Sequence, residues 1–207
     1  MDCWIYETTK TGEAVYDIYS KLLKDRTIFL YEEIDSEIAS KVVAFLFYLN
    51  SKSSTKEIKL YINSPGGTVT GFFAIYDAMN HVKAPIRTIC VGEACSAAAD
   101  LLASGTPGRR EAMQNAQIMI HSLQISNVSG SMMSASKDME YLQALHRKTI
   151  EIMADNTGWP IEQIEQDCQQ DKYMSAQEAL EYGIIDKILD VKKRPKAVAR
   201  KKRASKR

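Results

Sequence analysis

The chain has 207 residues with 27 Lys and Arg against 26 Asp and Glu, a formal charge of +1, and 45% hydrophobic residues. That is the composition of an ordinary globular protein with room for one sizeable core. No apolar run reaches the length of a membrane span, and MDCWIYETTK at the start lacks the basic-then-apolar pattern of a signal peptide. The balanced charge hides an asymmetry: residues 191–207 hold ten of the basic residues and no acid, so the rest carries 17 basic against 26 acidic side chains. The four cysteines (Cys3, Cys90, Cys95, Cys168) form no C-x-x-C pair, which fits free thiols in a reducing, cytoplasmic setting.

In chain order, residues 1–15 read as a loose arm, with Trp4 and Tyr6 packing on their neighbours. Asp17 to Lys24 reads as a short helix and Thr27 to Leu30 as a strand. Asp35 or Ser36 caps the next helix, whose apolar face is Ile38, Val42, Phe45, Leu46 and Leu49. Two strand–turn–helix units follow, Ile58 to Met79 and Ile86 to Ser104. In the first, Val69, Phe72, Phe73, Tyr76 and Met79 recur at helical spacing after the turn Ser64-Pro65-Gly66-Gly67. In the second, Thr88 to Val91 is a strand ended by Gly92, and Ser96 stands where a helix begins. Repetition of the unit implies parallel strands joined by right-handed crossovers, an α/β class. Both turns then fall at one sheet edge, which brings Gly67 and Ser96 together.

Serine is a preferred helix cap, and capping is the plainer reading of Ser96 taken alone. The strand Ile118-Met119-Ile120 then ends in His121, at the strand end where open α/β sheets bind ligands. The other histidines, His81 and His146, do not pair with it at metal-ligand spacing, so no metal site is expected. Residues 122–136 turn polar. A helix follows from about Ser136 to Asn156, with Met139, Leu142, Leu145, Thr149 and Ile152 as its stripe and Gly158 beyond its end. Pro160 opens a further helix, Ser175-Ala176-Gln177-Glu178 is a capping box, and Gly183 precedes a last strand, Ile184 to Ile188.

Four stretches carry a resemblance: YINSPGG at 61–67, GEACSAAADLLASGTPGRR at 92–110, MIH at 119–121 and DKYMSAQEALEYGIID at 171–186. With YDIYSKLLKDRTIFL at 16–30, they make the chain similar to the ClpP family, the proteolytic subunits of Clp proteases, from about Ile5 to Leu189. The resemblance implies a crotonase/ClpP-like fold of repeated β-β-α units with a protruding helical handle at about 122–156. The N-terminal arm (1–15) would line an axial entrance, the peptidase domain would span 16–190, and a basic disordered tail would follow at 191–207. It implies Ser96 as nucleophile, His121 as base, Asp171 as the group orienting it, and the N–H groups of Gly67 and Ala97 as the oxyanion hole. No cofactor is implied, since ATP is used by a partner AAA+ unfoldase. The assembly would be two stacked heptamers cutting unfolded polypeptides.

Departures from the family pattern carry their own expectations. Ser96-Ala97-Ala98 replaces Ser-Met-Gly, His121-Ser122-Leu123 replaces His-Gln-Pro, and the glycines of the substrate-side strand are missing at Gln124 to Asn127. Gln169-Gln170 stands where an acid–Arg pair commonly links the rings, so ring pairing is expected to depend weakly on salt. The unfoldase-docking positions are Lys59, Tyr61, His81, Ile89, Val91, Glu111, Met113 and Leu189; Lys59, His81 and Glu111 stand where aromatics are common, and Lys59 and Glu111 are placed to pair. Docking to a standard unfoldase should therefore be weak, with a second ClpP-type ring or a different loop needed. Three alternatives stay open: an inactive paralogue in a mixed ring, a crotonase-type acyl-CoA enzyme on the same fold, and Cys95 as nucleophile in place of Ser96. The basic tail is read either as a solubilising extension or as a contact for nucleic acid or another acidic surface.

Overall fold

The computed structural model describes residues 4–9, 12–124 and 131–189. The chain begins with a hairpin, not a loose arm: β1 (Trp4–Thr9) pairs antiparallel with β2 (Gly12–Asp17), Trp4 opposite Asp17. Trp4 and Tyr6 do not pack on neighbours, being 57% and 70% exposed. They share one face of the two-stranded ribbon. Asp17 closes the ribbon and caps α1 (Ile18–Lys24), its carboxylate accepting from the N–H groups of Tyr19 and Ser20.

The sheet is mostly parallel. β3 (Thr27–Leu30), β4 (Ile58–Ser64), β5 (Ile86–Cys95), β6 (Arg110–Met113) and β9 (Lys187–Leu189) lie side by side in that order, each pair parallel. The far end of β5 also pairs in parallel with β7 (Gln117–Ile120), and β7 pairs antiparallel with β8 (Lys172–Ser175). Alternation sends Ile58, Leu60 and Ile62 of β4 to one face, where they are fully buried. That face packs against α2 (Ser36–Lys52), α3 (Val69–His81) and α4 (Ala97–Ala103). Helices that bridge consecutive parallel strands make this arrangement α/β.

Some expectations shift. On α2 the buried stripe is Ala39, Val42, Leu46 and Leu49. Ile38 is only half-buried and Phe45 is exposed, because both turn toward a groove shared with Phe29 and Tyr31. Gly92 does not end its strand: β5 runs on to Cys95 through a bulge, where Ile62 pairs with Cys90 but Ser64 pairs with Ala94. Gly92 has φ +96°, and a Cβ there would fall 2.3 Å from Asn63 Oδ1. The Asn63 side chain fills the bulge, accepting from the Glu93 N–H at 3.1 Å.

The long helix α5 (Met132–Thr157) starts earlier than the stripe implied. Only its second half reaches the core, through Ile150, Ile152, Met153 and Ala154; Met139 and Tyr141 of the first half are exposed. The expected substrate-side strand at 124–127 lies, after Gln124, outside the described residues, as does the basic tail. α6 (Ile161–Asp167) starts after Pro160, and α7 (Ala176–Tyr182) carries the capping box of Ser175 and Glu178 and ends on Gly183 at φ +85°. The last strand begins at Lys187, not Ile184. Ile184 and Ile185 are buried but irregular, since Asp186 turns aside to bind Arg110. No described helix is long and apolar enough to cross a membrane.

Candidate active site

Ser96 sits at the turn from β5 into α4 with φ +54° and ψ −130°. A positive φ on a residue with a Cβ costs of the order of 1–3 kcal/mol and persists only where surroundings enforce it. Here they do: the Ser96 N–H donates to the Met119 carbonyl of β7 at 2.8 Å, and its own carbonyl accepts from Ala99 N–H at 2.8 Å. Its side chain makes no capping hydrogen bond. The plainer reading of this serine as a cap therefore fails, and the hydroxyl is left for the cleft. The bend is the nucleophile-elbow geometry, a strained strand-to-helix turn that exposes a serine at the top of a sheet.

The glycine pair in the neighbouring turn lets this happen. A Cβ on Gly66 would lie 2.7 Å from Ser96 Cβ and 2.6 Å from Cys95 O. A Cβ on Gly67, at φ +151°, would lie 2.4 Å from Ile34 O. Ile34 donates its N–H to Gly66 O at 2.7 Å and accepts from Thr68 N–H at 2.8 Å. These bonds use the groups on either side of the Gly67 N–H. Among the described residues nothing accepts from the N–H of Gly67 or of Ala97, and both residues line the cleft with Ser96. Parallel pairing of β4 with β5 thus brings the two turns together as expected from the repeated unit.

His121 follows β7 and Asp171 precedes β8. Ile120 is paired with Lys172, so the antiparallel register sets His121 opposite Asp171. His121 Nδ1 lies 3.5 Å from Asp171 Oδ1; the aspartate is 49% exposed and the histidine 14%. β8 was not anticipated from the sequence. Its signal is weak, a four-residue strand in which only Met174 is buried. Gln124 also reaches His121, Nε2 to Nδ1 at 3.2 Å. An amide nitrogen only donates, so that contact requires a bare Nδ1, whereas a base oriented by Asp171 carries its proton on Nδ1. The two contacts exclude each other, and half a turn of the amide, presenting its oxygen, reconciles them.

Ser96, His121, Gly67, Ala97, Gln124, Thr149 and Asp100 line one cleft of about 370 Å³, with Pro65, Val69, Phe72, Met119 and Leu123 as its apolar wall. Cys95 is buried rather than presented, and desolvation raises its thiol pKa, so it is held as the poorly nucleophilic thiol. Burial pushes Cys90 and Cys168 up to about 12. No group of three or more potential metal ligands occurs among the described residues.

The docking positions divide. Lys59, Tyr61, Ile89, Val91, Glu111, Met113 and Leu189 all fall on the sheet face turned away from α2, α3 and α4, in adjacent register positions. His81 does not. It ends α3 and lies edge-on to Phe47 of α2, ring centroids 5.8 Å apart. Lys59 and Glu111 do not pair either. Arg87 stands between them in register and takes Glu111 at 3.3 Å and Glu57 at 3.0 Å, which leaves Lys59 exposed.

A parallel-sheet α/β fold that strains a serine out toward a cleft, next to a histidine and two N–H groups that no described group uses, has the parts of a nucleophilic acyl-transfer site. The family is shown directly. The chain belongs to the Clp protease family, whose model, described as Clp protease, matches residues 10–192.

Proposed function

We propose that the chain is the proteolytic subunit of a self-compartmentalised Clp protease, a cytoplasmic serine endopeptidase acting on unfolded polypeptides delivered by an AAA+ unfoldase. The observation that carries this is Ser96: a strained serine whose hydroxyl caps nothing and faces the same cleft as His121. Ser96 Oγ attacks the peptide carbonyl carbon and passes its proton to His121. The Gly67 and Ala97 N–H groups receive the oxyanion. Collapse of the adduct breaks the C–N bond, and His121 returns the proton to the leaving amine. Water, deprotonated by His121, then releases the acyl group from Ser96. Asp171 holds the imidazole and offsets its transient charge. The chain itself supplies every group for these steps, and ATP belongs to the unfoldase. A fluorophosphonate probe with mass-spectrometric mapping tests the reading; modification at any residue other than Ser96 defeats it.

Family membership implies an oligomer working with Clp unfoldases. Two stacked heptamers joined through α5 fit the exposed Met139 and Tyr141 on its first half, and Gln169 and Gln170 are exposed amides. Native mass spectrometry should read fourteen subunits with little change across ionic strengths; a particle that splits steeply with salt contradicts this assembly. The outer sheet face is the proposed unfoldase surface. An exposed Lys59 and the Glu57–Arg87–Glu111 ion pairs put charge in a surface meant for an apolar loop, and displacing them carries a desolvation cost. Degradation of a tagged folded substrate with a standard Clp unfoldase should be slow for the wild type and faster for Lys59→Tyr. Efficient wild-type degradation, or no gain in the variant, rules this out.

A further inference from the structure

Asp100 is the one charged residue of α4; its neighbours Ala97, Ala98, Ala99, Leu101, Leu102 and Ala103 are all buried and apolar. It lies one helical turn after Ser96, so both project from the same side of the helix. Its carboxyl lines the cleft that holds Ser96 and His121, and also a small extension of about 20 Å³ behind it, walled by Thr149, Ile150, Met153, Ile164 and Cys168. No described Lys or Arg pairs with it, and no described group donates a hydrogen bond to its carboxyl oxygens. Desolvation alone pushes its pKa up to about 8. A half-buried carboxyl that no described group pairs, in the cleft beside the nucleophile, is placed to meet a charged ligand.

We propose that Asp100 is a specificity-determining residue, and that the cleft takes a cationic side chain, lysine or arginine, from the residue on the acyl side of the bond cut. The inference rests on the reading of Ser96 as the nucleophile. With the substrate carbonyl at Ser96, the side chain of that residue enters the slot. A lysine or arginine stem packs along Val69, Phe72 and Leu123 while its head reaches the carboxyl. A leucine or phenylalanine covers the half-buried carboxyl without matching it, and a site that strands a polar group on binding disfavours such a ligand. Arginine, with its planar fork, matches a carboxylate through two bonds and is expected to rank first.

The test uses the full-length assembled protein and peptidyl diphenyl phosphonates that differ only in bearing arginine, lysine or leucine at the position next to phosphorus. Modification of Ser96 should be at least about tenfold faster for arginine than for leucine, since the discrimination comes from a polar partner that leucine covers without matching. Asp100→Asn should collapse that ratio toward one, and fluorogenic peptides should show the same change in relative kcat/KM. General damage lowers both members of the ratio and does not move it. If Asp100→Asn fails to fold, the wild-type rates still decide. Leucine equal to or faster than arginine overturns the inference, and so does an unchanged ratio in the variant. A plain fluorophosphonate separates the two levels: if it fails to modify Ser96, the peptidase reading has failed and the inference with it; if it succeeds while arginine shows no advantage, only the inference has failed.

Discussion

Ser96→Ala is expected to abolish peptide hydrolysis, a fall on the order of a million-fold in kcat where a working triad is disabled. The protein should stay folded. The Ser96 hydroxyl makes no capping bond, so its removal leaves no buried donor or acceptor unpaired. The backbone at φ +54° is strained equally for serine and alanine, and the Cβ that sits close to Gly66 is retained. The change in stability should therefore lie within about 0.5 kcal/mol. The measurement is turnover of a fluorogenic peptide by the purified assembled variant, with thermal unfolding as the folding control. Retained turnover removes Ser96 from the mechanism. A fluorophosphonate adduct that moves to Cys95 in the variant identifies the other nucleophile.

Asp186→Ala should have the largest effect on stability. The Asp186 carboxylate accepts from Arg110 three times, from its backbone N–H at 2.9 Å, from Nε at 3.0 Å and from Nη2 at 2.6 Å. The same guanidinium donates to the Asn156 carbonyl at 2.7 Å, so one ion pair ties β6, the entry to β9 and the end of α5 together. The Arg110 side chain is 11% exposed. Truncating its partner strands a buried cation, which typically costs 3–5 kcal/mol; partial solvation of Asp186 puts the expectation at about 3 kcal/mol. Burial by itself would raise the Asp186 pKa, but the side-chain and backbone hydrogen bonds from Arg110 outweigh it and hold the group below its ordinary 3.8. A depressed carboxylate contributes stability above its unfolded-state pKa and loses it as the pH falls through the folded one. In urea unfolding, the gap between wild type and Asp186→Asn should be full near neutral pH and narrow below about pH 4. A gap that persists unchanged into acid would show that the charge is not what stabilises this junction.

Much of the architecture was legible because it is written locally. Ile58, Leu60 and Ile62 alternate as a half-buried strand must, Phe72 and Met79 of the stripe read in α3 are buried although Ile75 was missed, and both helix starts at Asp35 and Ser175 carry the side chains that satisfy free N–H groups. The repeated strand–turn–helix unit already required parallel strands, and with them the meeting of the glycine turn and Ser96. Where the local signal was ambiguous, the readings slipped by a few residues, as at Gly92, which ends a strand in most contexts but here permits a bulge because Asn63 fills the space beside it.

The site itself divides along the same line. Sequence by itself determined which residues stand at strand ends and helix starts, and so which side chains were candidates: Ser96, His121 and Gly67. Tertiary structure alone decided what those groups are free to do. Whether Ser96 caps its helix or faces a cleft depends on backbone angles enforced by Gly66 and by the Met119 carbonyl, neither adjacent in the chain. Nothing local marks Asp171 apart from the family resemblance, and it is the β7–β8 register that sets it opposite His121; Glu111 reads as a partner for Lys59 until β5 puts Arg87 between them. Hydrophobic period and capping act over three or four residues and leave their mark in the chain. Pairing between strands tens of residues apart is set by the packed core as a whole, so the contacts it creates exist only once the sheet has formed.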